Sequence, residues 1–392
     1  MKTRNAALLA LSITALASAS VAVAQEISVT PDRLKWQQSV ASPSETALLL
    51  GGPGQPGPSV VRARLKPGMR VMPHSHPVDV HVTVLSGTLL YGQGESFDEA
   101  KMKEYPAGSF FVETANLPHY QMPKGNEGVV FQASATGANA FNYANAKDDP
   151  RNARAELAPT GKLRVGLLVA NPVFVSKDGP ATEMQGVAVE LARELAKRLG
   201  VAFEPVRYPS VANMIEAAKS RDWDVAFLGF EPGRTAEMDF TGAYLDIANS
   251  LLVPAGSKIR SLGDADQAGH RIAVSQRSVQ DIYLTRNLKR AELLRVGSVA
   301  DGVPLLSAGS VHALGGNRMT LLQFAAKIPG SRVLDDNFSV TQHALAVGKG
   351  RPAGAAYAKE FIEQAKVSGL VQQAIERSQL RGVNVAPRAP AM

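Results

Sequence analysis

Short apolar alternations fill the first third of this chain, and a longer helical rhythm fills the rest. Val60–Leu65, Val80–Leu85, Thr88–Tyr91, Ser109–Glu113 and Gly128–Ala133 alternate with the period of a strand that buries one face. Turn sequences separate them: Lys66-Pro67-Gly68, Ser86-Gly87, Pro106-Ala107-Gly108 and Pro123-Lys124-Gly125. Almost no segment before residue 147 carries a helical period. The pattern predicts an all-β domain over residues 26–147, a sandwich or a barrel.

Residues 148–161 are polar with a proline near each end, and read as a linker. From Lys162 the pattern changes. Leu163–Val169 is a continuous apolar run, as in a buried parallel strand. Val187, Leu191, Leu195 and Leu199 recur every four residues before Gly200, which marks a helix and its stop. Val201–Val206, the helical Val211–Ser220 and the apolar Asp224–Gly229 complete a strand–helix–strand–helix–strand series. The rhythm returns in strand Arg271–Ser275, helix Ser278–Leu288, strands Leu293–Val296 and Val311–Leu314, and helix Met319–Lys327. Two α/β lobes are therefore expected, one about residues 162–253 and 342–382, the other about 254–341. Ile247–Val253 and His343–Val347 stand where the chain can cross between them. Tyr357–Ile375 reads as one long final helix, and residues 383–392, rich in proline, as a flexible tail.

Residues 1–24 combine Lys2 and Arg4, an apolar stretch from Ala6 to Ala17 and the small-residue triplet Ala22-Val23-Ala24. This is the pattern of a secretory signal peptide, and it predicts export to the periplasm. No later apolar run approaches membrane-spanning length. The chain has no cysteine, so the exported domains must fold without disulfides, and any metal must be held by His, carboxylate or water. Charge is unevenly placed: residues 26–150 hold 10 basic and 12 acidic side chains, residues 151–392 hold 30 and 23. The basic half contains no Lys/Arg run and no aromatic-interleaved basic patch, which argues against nucleic acid. A small anionic ligand suits it better.

Three imidazoles lie on two of the hairpin-like stretches. His74 and His76 are two residues apart and share a strand face; His119 follows Asn116-Leu117-Pro118. The run Gly68-x5-His74-x-His76-x3-Val80-x6-Gly87 resembles the first signature of the cupin superfamily. Tyr105-Pro-Ala-Gly-Ser-Phe-Phe-Val through Asn-Leu-Pro-His119 resembles the second. The resemblance implies a cupin β-barrel and a metal site at His74, His76 and His119, able to take Fe²⁺, Zn²⁺, Ni²⁺ or Mn²⁺. It also implies pairing into a homodimer through this domain. Val80 occupies the place of the family's glutamate ligand. Val80 shares parity with the histidines and faces inward, whereas Asp79 and His81 face outward.

Residues 162–382 resemble the periplasmic solute-binding proteins of family 3, which deliver amino acids and similar solutes to ATP-driven (ABC) importers. The likeness is carried by Leu163-Arg-Val-Gly, the helix from Glu190 to Gly200, Asp224-Val-Ala-Phe-Leu-Gly and Arg234-Thr-Ala-Glu-Met-Asp-Phe-Thr-Gly-Ala-Tyr244. It implies a two-lobed type II binding-protein fold, an ABC permease as partner, and a cleft ligand gripped by an exposed Arg234 guanidinium. Backbone near Gly229 and the helix start at Arg277-Ser278 would complete the grip. Phe174 and Phe230 would flank the ligand, and Arg277 would add a second cation. Relatives hold the ligand's α-ammonium with acidic residues after a Gly-x-Val-Asp-Ala segment. Here Gly309-Ser310-Val311-His312-Ala313 is followed by Asn317, so the ligand is expected to be a carboxylate or other anion, not a standard amino acid. No nucleophile–base constellation marks this half as an enzyme. The other reading is a metal-dependent cupin enzyme, an oxygenase or isomerase, with a fused substrate-binding domain.

Overall fold

The computed structural model describes residues 27–52, 54–169, 171, 173–380 and 383–389; the signal segment 1–24 lies outside them. Ile27–Leu34 is a separate short unit with a 3-10 turn at Pro31–Arg33.

The alternating segments form two antiparallel sheets. In space, one runs Gln37–Gln38, Glu45–Leu50, Pro58–Leu65, Val129–Thr136, Val80–Ser86, Phe110–Glu113. The other runs Asn142–Tyr143, Val71–Ser75, His119–Pro123, Thr88–Gln93, Lys103–Pro106. Val80, Val82 and Val84 point inward with Leu65, Phe131, Val71 and Leu89, so both sheets feed one core. Where a barrel was expected the strands form two sheets, and among the described residues no strand pair closes them into a ring.

The segment read as a linker is instead a helix, Pro150–Leu157. Asp149 caps it by accepting from the Arg151 amide, and Pro150 at its first position starts it, where the sequence reading treated proline as a break. Leu157 is fully buried in the core of the first α/β lobe. It sits so close to helix Pro352–Val367 that a β-carbon on Gly354 would fall 2.7 Å from its Cδ2. Gly68, in a left-handed turn of the β-domain, meets Val367 of the same helix.

The α/β part is built on a sheet shared by both lobes. Lys162–Leu168 lies parallel to Ala202–Tyr208 and Val225–Gly229 in the first lobe. Arg271–Ser275 lies parallel to Glu292–Val296 and Ala313–Asn317 in the second. Ile272 and Val274 serve one core and Ala273 another, because helices cover both faces of this lobe's sheet. Two long antiparallel strands, Met238–Val253 and Ser339–Gly348, join the lobes. Leu245–Ile247 still pairs within the first lobe, with Val383–Val385, while Asn249–Leu252 pairs with the second lobe's Leu314–Asn317. The crossing therefore falls near residue 248, within the expected Ile247–Val253. Two further differences lie at the end of the chain. The final helix breaks at Gly369, which adopts φ +76°, into Pro352–Val367 and Leu370–Arg377. The supposed flexible tail supplies strand Val383–Val385 and the buried Ala386.

Candidate functional site

A cleft opens where the parallel strands of both lobes end, the usual ligand position in α/β sheets. Four helices begin at it. Their caps Ser210, Ser278, Ser298 and Asn317 line the cleft, and each side chain accepts the amide three residues on. The helices run Val211–Lys219, Val279–Asn287, Val299–Ser307 and Arg318–Ala325. Four positive dipole ends thus face one small space.

Arg234 lines the same cleft and is the one charged side chain among the described residues that do so. It is not the exposed guanidinium expected from the sequence: only 6% of its surface is accessible. Its Nη1 donates to the Gly229 carbonyl of the first lobe at 2.7 Å, and its Nη2 to the Arg277 carbonyl of the second. Burial lowers its pKa to about 10, which leaves it cationic at neutral pH. Arg234 is buried because the lobes are closed on it. Other bonds cross the same gap: Arg286 to Glu231 at 3.3 Å, and Thr320 to Asn171 at 3.4 Å.

Phe174, Gly229, Ser278 and Asn317 all line the cleft. Phe230 does not; its ring stands edge-on to Phe240 at 5.3 Å, in the first lobe. Arg277 contributes a backbone carbonyl but no cation. Its side chain is exposed, and its φ of +60° turns the chain so that the amide reaches Asp281. His312 stacks on His270 at 4.6 Å, away from the cleft. The Asn317 amide oxygen already accepts from the Thr320 amide at 2.8 Å.

His343 is a lining residue that sequence reasoning passed over as part of an apolar strand. It is buried, edge-on to Phe174 at 5.1 Å, and its Nδ1 has no partner. Burial pushes its pKa down to about 4, so it is a neutral donor or acceptor facing the ligand space. In the unfolded chain this imidazole gains its proton near pH 6.5, so between there and pH 4 the unfolded state binds more protons. Stability from this residue is full above pH 6.5 and falls on acidification. The loss from pH 7 to 5.5 amounts to about 1 kcal/mol. Thermal melts across that range should show a shallower acid slope for His343→Gln than for the parent. Parallel slopes would refute the assignment.

The three predicted histidines also converge. His74 and His119 are direct partners across the strand pair Val71–Ser75 and His119–Pro123, and the three nitrogens lie within 4.8 Å of one another. All three rings are buried. Each Nδ1 contacts a backbone carbonyl: His74 with Met72 at 2.8 Å, His76 with Ala140 at 2.9 Å, His119 with Leu117 at 3.0 Å. Burial holds His74 well below the usual imidazole range and lowers His119 too. Val80 faces inward as expected, and Asp79 and His81 are exposed. Near them lies Glu113, which the sequence marked only as the end of strand Ser109–Glu113: it is buried, with its oxygens 3.4 Å from His76 Nε2 and 3.6 Å from His119 Nε2.

Against known proteins, the profile of bacterial extracellular solute-binding proteins, family 3, matches residues 163–378, more than half of the chain. The chain belongs to this family. The ABC transporter glutamine-binding protein GlnH of Bacillus subtilis (strain 168) is 22% identical over 244 residues, 61% of this chain and 89% of that protein. The glutamine-binding protein of Geobacillus stearothermophilus is 24% identical over 202 residues, 50% of this chain and 77% of that protein. Among solved structures, a mutant of ArgBP from T. maritima superposes with a TM-score of 0.52 at 24% identity, covering 58% of this chain and 99% of that one. The solute receptor for L-cysteine of Neisseria gonorrhoeae gives 0.52 at 24%, covering 57% and 92%. These structures share the two-lobed fold. No helix among the described residues is long and apolar enough to cross a membrane.

In this family 3 protein the lobes touch at Gly229. A β-carbon there would stand 2.8 Å from Val279 Cγ2 of the opposing lobe and 2.9 Å from Thr341 Cγ2. Gly229→Ala therefore wedges the closed state against Val279, whereas the contact with Thr341, on the strand that pairs with Gly229, is met in either state. Overpacking of this kind costs about 1–2 kcal/mol, or roughly a 5- to 30-fold loss of affinity for any ligand that requires closure. Solution scattering should show the variant more extended than the parent at saturating ligand. Identical profiles would show that the contact does not govern closure.

Proposed function

We propose that this family 3 protein is exported and captures a small carboxylate-bearing solute between its lobes, for an ABC importer or a sensor. One observation carries this reading: Arg234 is the sole charge among the described lining residues, set among four helix N-termini. Every fixed field in the cleft favours negative charge. When the lobes part, the Arg234 guanidinium loses the Arg277 carbonyl and presents free N–H groups to a carboxylate. Reclosure removes water from that pair and strengthens it. The glutamine-binding relatives favour an amino-acid-like guest. No Asp or Glu lines this cleft among the described residues, however, and Asn317 is occupied as a helix cap. An α-ammonium would meet only neutral oxygens. The neutral His343 and the cap hydroxyls suit the rest of a polar acid. The cupin resemblance of the N-terminal sheets makes them an accessory domain.

Calorimetry with the exported form tests this, pairing each amino acid with its deaminated analogue. The expected result is that a deaminated acid binds at least as tightly as its parent. Tight binding of a zwitterion with no binding of its analogue would overturn the choice of ligand.

A further inference from the structure

Taking the cleft as a carboxylate site, as proposed above, we infer that its guest is a 2-hydroxy monocarboxylate of two or three carbons and that His343 is the residue that selects the hydroxyl. Strand register places this histidine beside the guanidinium. His343 pairs with Gly229 across the antiparallel strands Ser339–Gly348 and Val225–Gly229. The Gly229 carbonyl is the one that accepts from Arg234 Nη1 at 2.7 Å. Both side chains line the cleft, so the imidazole and the guanidinium flank the same end of it.

The histidine carries an unmet demand. Only 4% of its surface is accessible, and its Nδ1 is buried with no partner among the described residues. Phe174 packs edge-on against the ring at 5.1 Å and offers it no hydrogen-bonding group. A buried polar nitrogen left unpaired costs free energy, which a guest that pairs with it recovers. Burial, with the nearby Arg234 charge, keeps the ring neutral at pH 7. It therefore gives no countercharge to a second carboxylate. Arg234 is the one cation among the described lining residues, so a dicarboxylate would bury an unpaired charge. A hydroxyl suits the imidazole better, because it can give or accept a hydrogen bond and so matches either tautomer.

Volume sets the length of the guest. The space between the closed lobes is about 70 Å³. A cavity of about 150 Å³ takes benzene. Roughly half of that leaves room for a carboxylate, one carbon bearing the hydroxyl and at most a methyl group. The hydroxyl then stands on the carbon next to the carboxylate, the one place where Arg234 and His343 can be served together.

Calorimetry on the purified protein tests this with glycolate, lactate, propionate, 2-hydroxyhexanoate and inorganic phosphate. Lactate and propionate differ by the hydroxyl alone. Lactate should bind about tenfold tighter than propionate, since the hydroxyl-free acid leaves the buried nitrogen unpaired. Glycolate should bind as well, and 2-hydroxyhexanoate should not bind measurably. His343→Leu should weaken lactate about tenfold more than propionate, which removes the preference. His343→Gln returns a hydrogen-bonding group and should restore part of it. Circular dichroism checks that both variants fold, and a merely structural role would weaken both acids alike. If the parent binds lactate and propionate equally, or His343→Leu keeps their ratio, His343 does not select the guest, although the cleft still takes carboxylates. If only the longer acid binds, the size limit is wrong and the carboxylate reading again stands. If no carboxylate binds, whether or not phosphate does, the carboxylate reading itself falls and the 2-hydroxy acid with it.

Discussion

Arg234→Met is expected to fold and, on the proposed function, to lose its carboxylate ligand almost completely. Truncating one member of a buried, hydrogen-bonded charge pair costs about 2–5 kcal/mol, which is roughly 30- to several-thousand-fold in affinity. The upper part of that range applies here for two reasons. The guanidinium is almost inaccessible in the closed state, so its partner would be desolvated with it. No other charged side chain lines the cleft among the described residues, so nothing replaces it. Methionine fills much of the volume and leaves only the Gly229 and Arg277 carbonyls without their donor. Arg234→Lys should recover little. An ammonium is a point donor and cannot span two carbonyls in opposite lobes as the planar fork does. The stability change should be smaller than the binding change, because the lobes part and rehydrate the carbonyls. Calorimetry with the best ligand of the parent decides the matter. Affinity within threefold of the parent in Arg234→Met would mean that the cleft is not organised around this residue.

Much of this molecule was readable from residue pattern, and the failures have specific causes. Strand Arg271–Ser275 and helix Val187–Leu199 stand where the apolar periods put them. Both are long, regular and buried, so period and burial agree. Strands Val71–Ser75 and His119–Pro123 carry no alternating apolar period and were marked only by the histidines on them, because Pro73, His74, His119 and Gln121 are buried among the apolar positions. The helix Pro150–Leu157 was hidden because its buried face is only Ala153 and Leu157. Arg234 was found from its motif, but its burial was not, because closure belongs to the tertiary structure. Glu113 was legible in principle. It lies two residues after Phe111 on a strand already recognised, and that parity turns it inward. Beside Val80 on its own segment Asp79 and His81 are exposed, and the inward carboxylate comes from the neighbouring strand.

The largest expected loss of stability lies away from the cleft, at Asp224. Its side chain is fully buried at the entrance to strand Val225–Gly229 and is held by two arginines. Arg164 donates Nη2 to Oδ1 at 2.8 Å and Nε to Oδ2 at 3.1 Å, and its backbone amide adds a bond at 3.0 Å. Arg351 approaches Oδ1 at 3.2 Å and donates Nη1 to the Asp224 carbonyl at 3.0 Å. Removing one member of a buried ion group costs about 3–5 kcal/mol because the remaining charges stay desolvated. Arg164 retains 23% exposure and can turn toward water, whereas Arg351 retains 10%. Asp224→Asn should therefore cost about 3 kcal/mol, near the lower end, or roughly 6–12 °C in a domain of this size. Adding Arg351→Met to Asp224→Asn should recover part of the loss, since it removes the stranded cation. A purely geometric role for Asp224 predicts the opposite, with the double variant less stable than either single one. Melting curves of the parent, both single variants and the double variant separate the two cases. If Asp224→Asn melts within 2 °C of the parent, the charge of this aspartate contributes nothing to the fold.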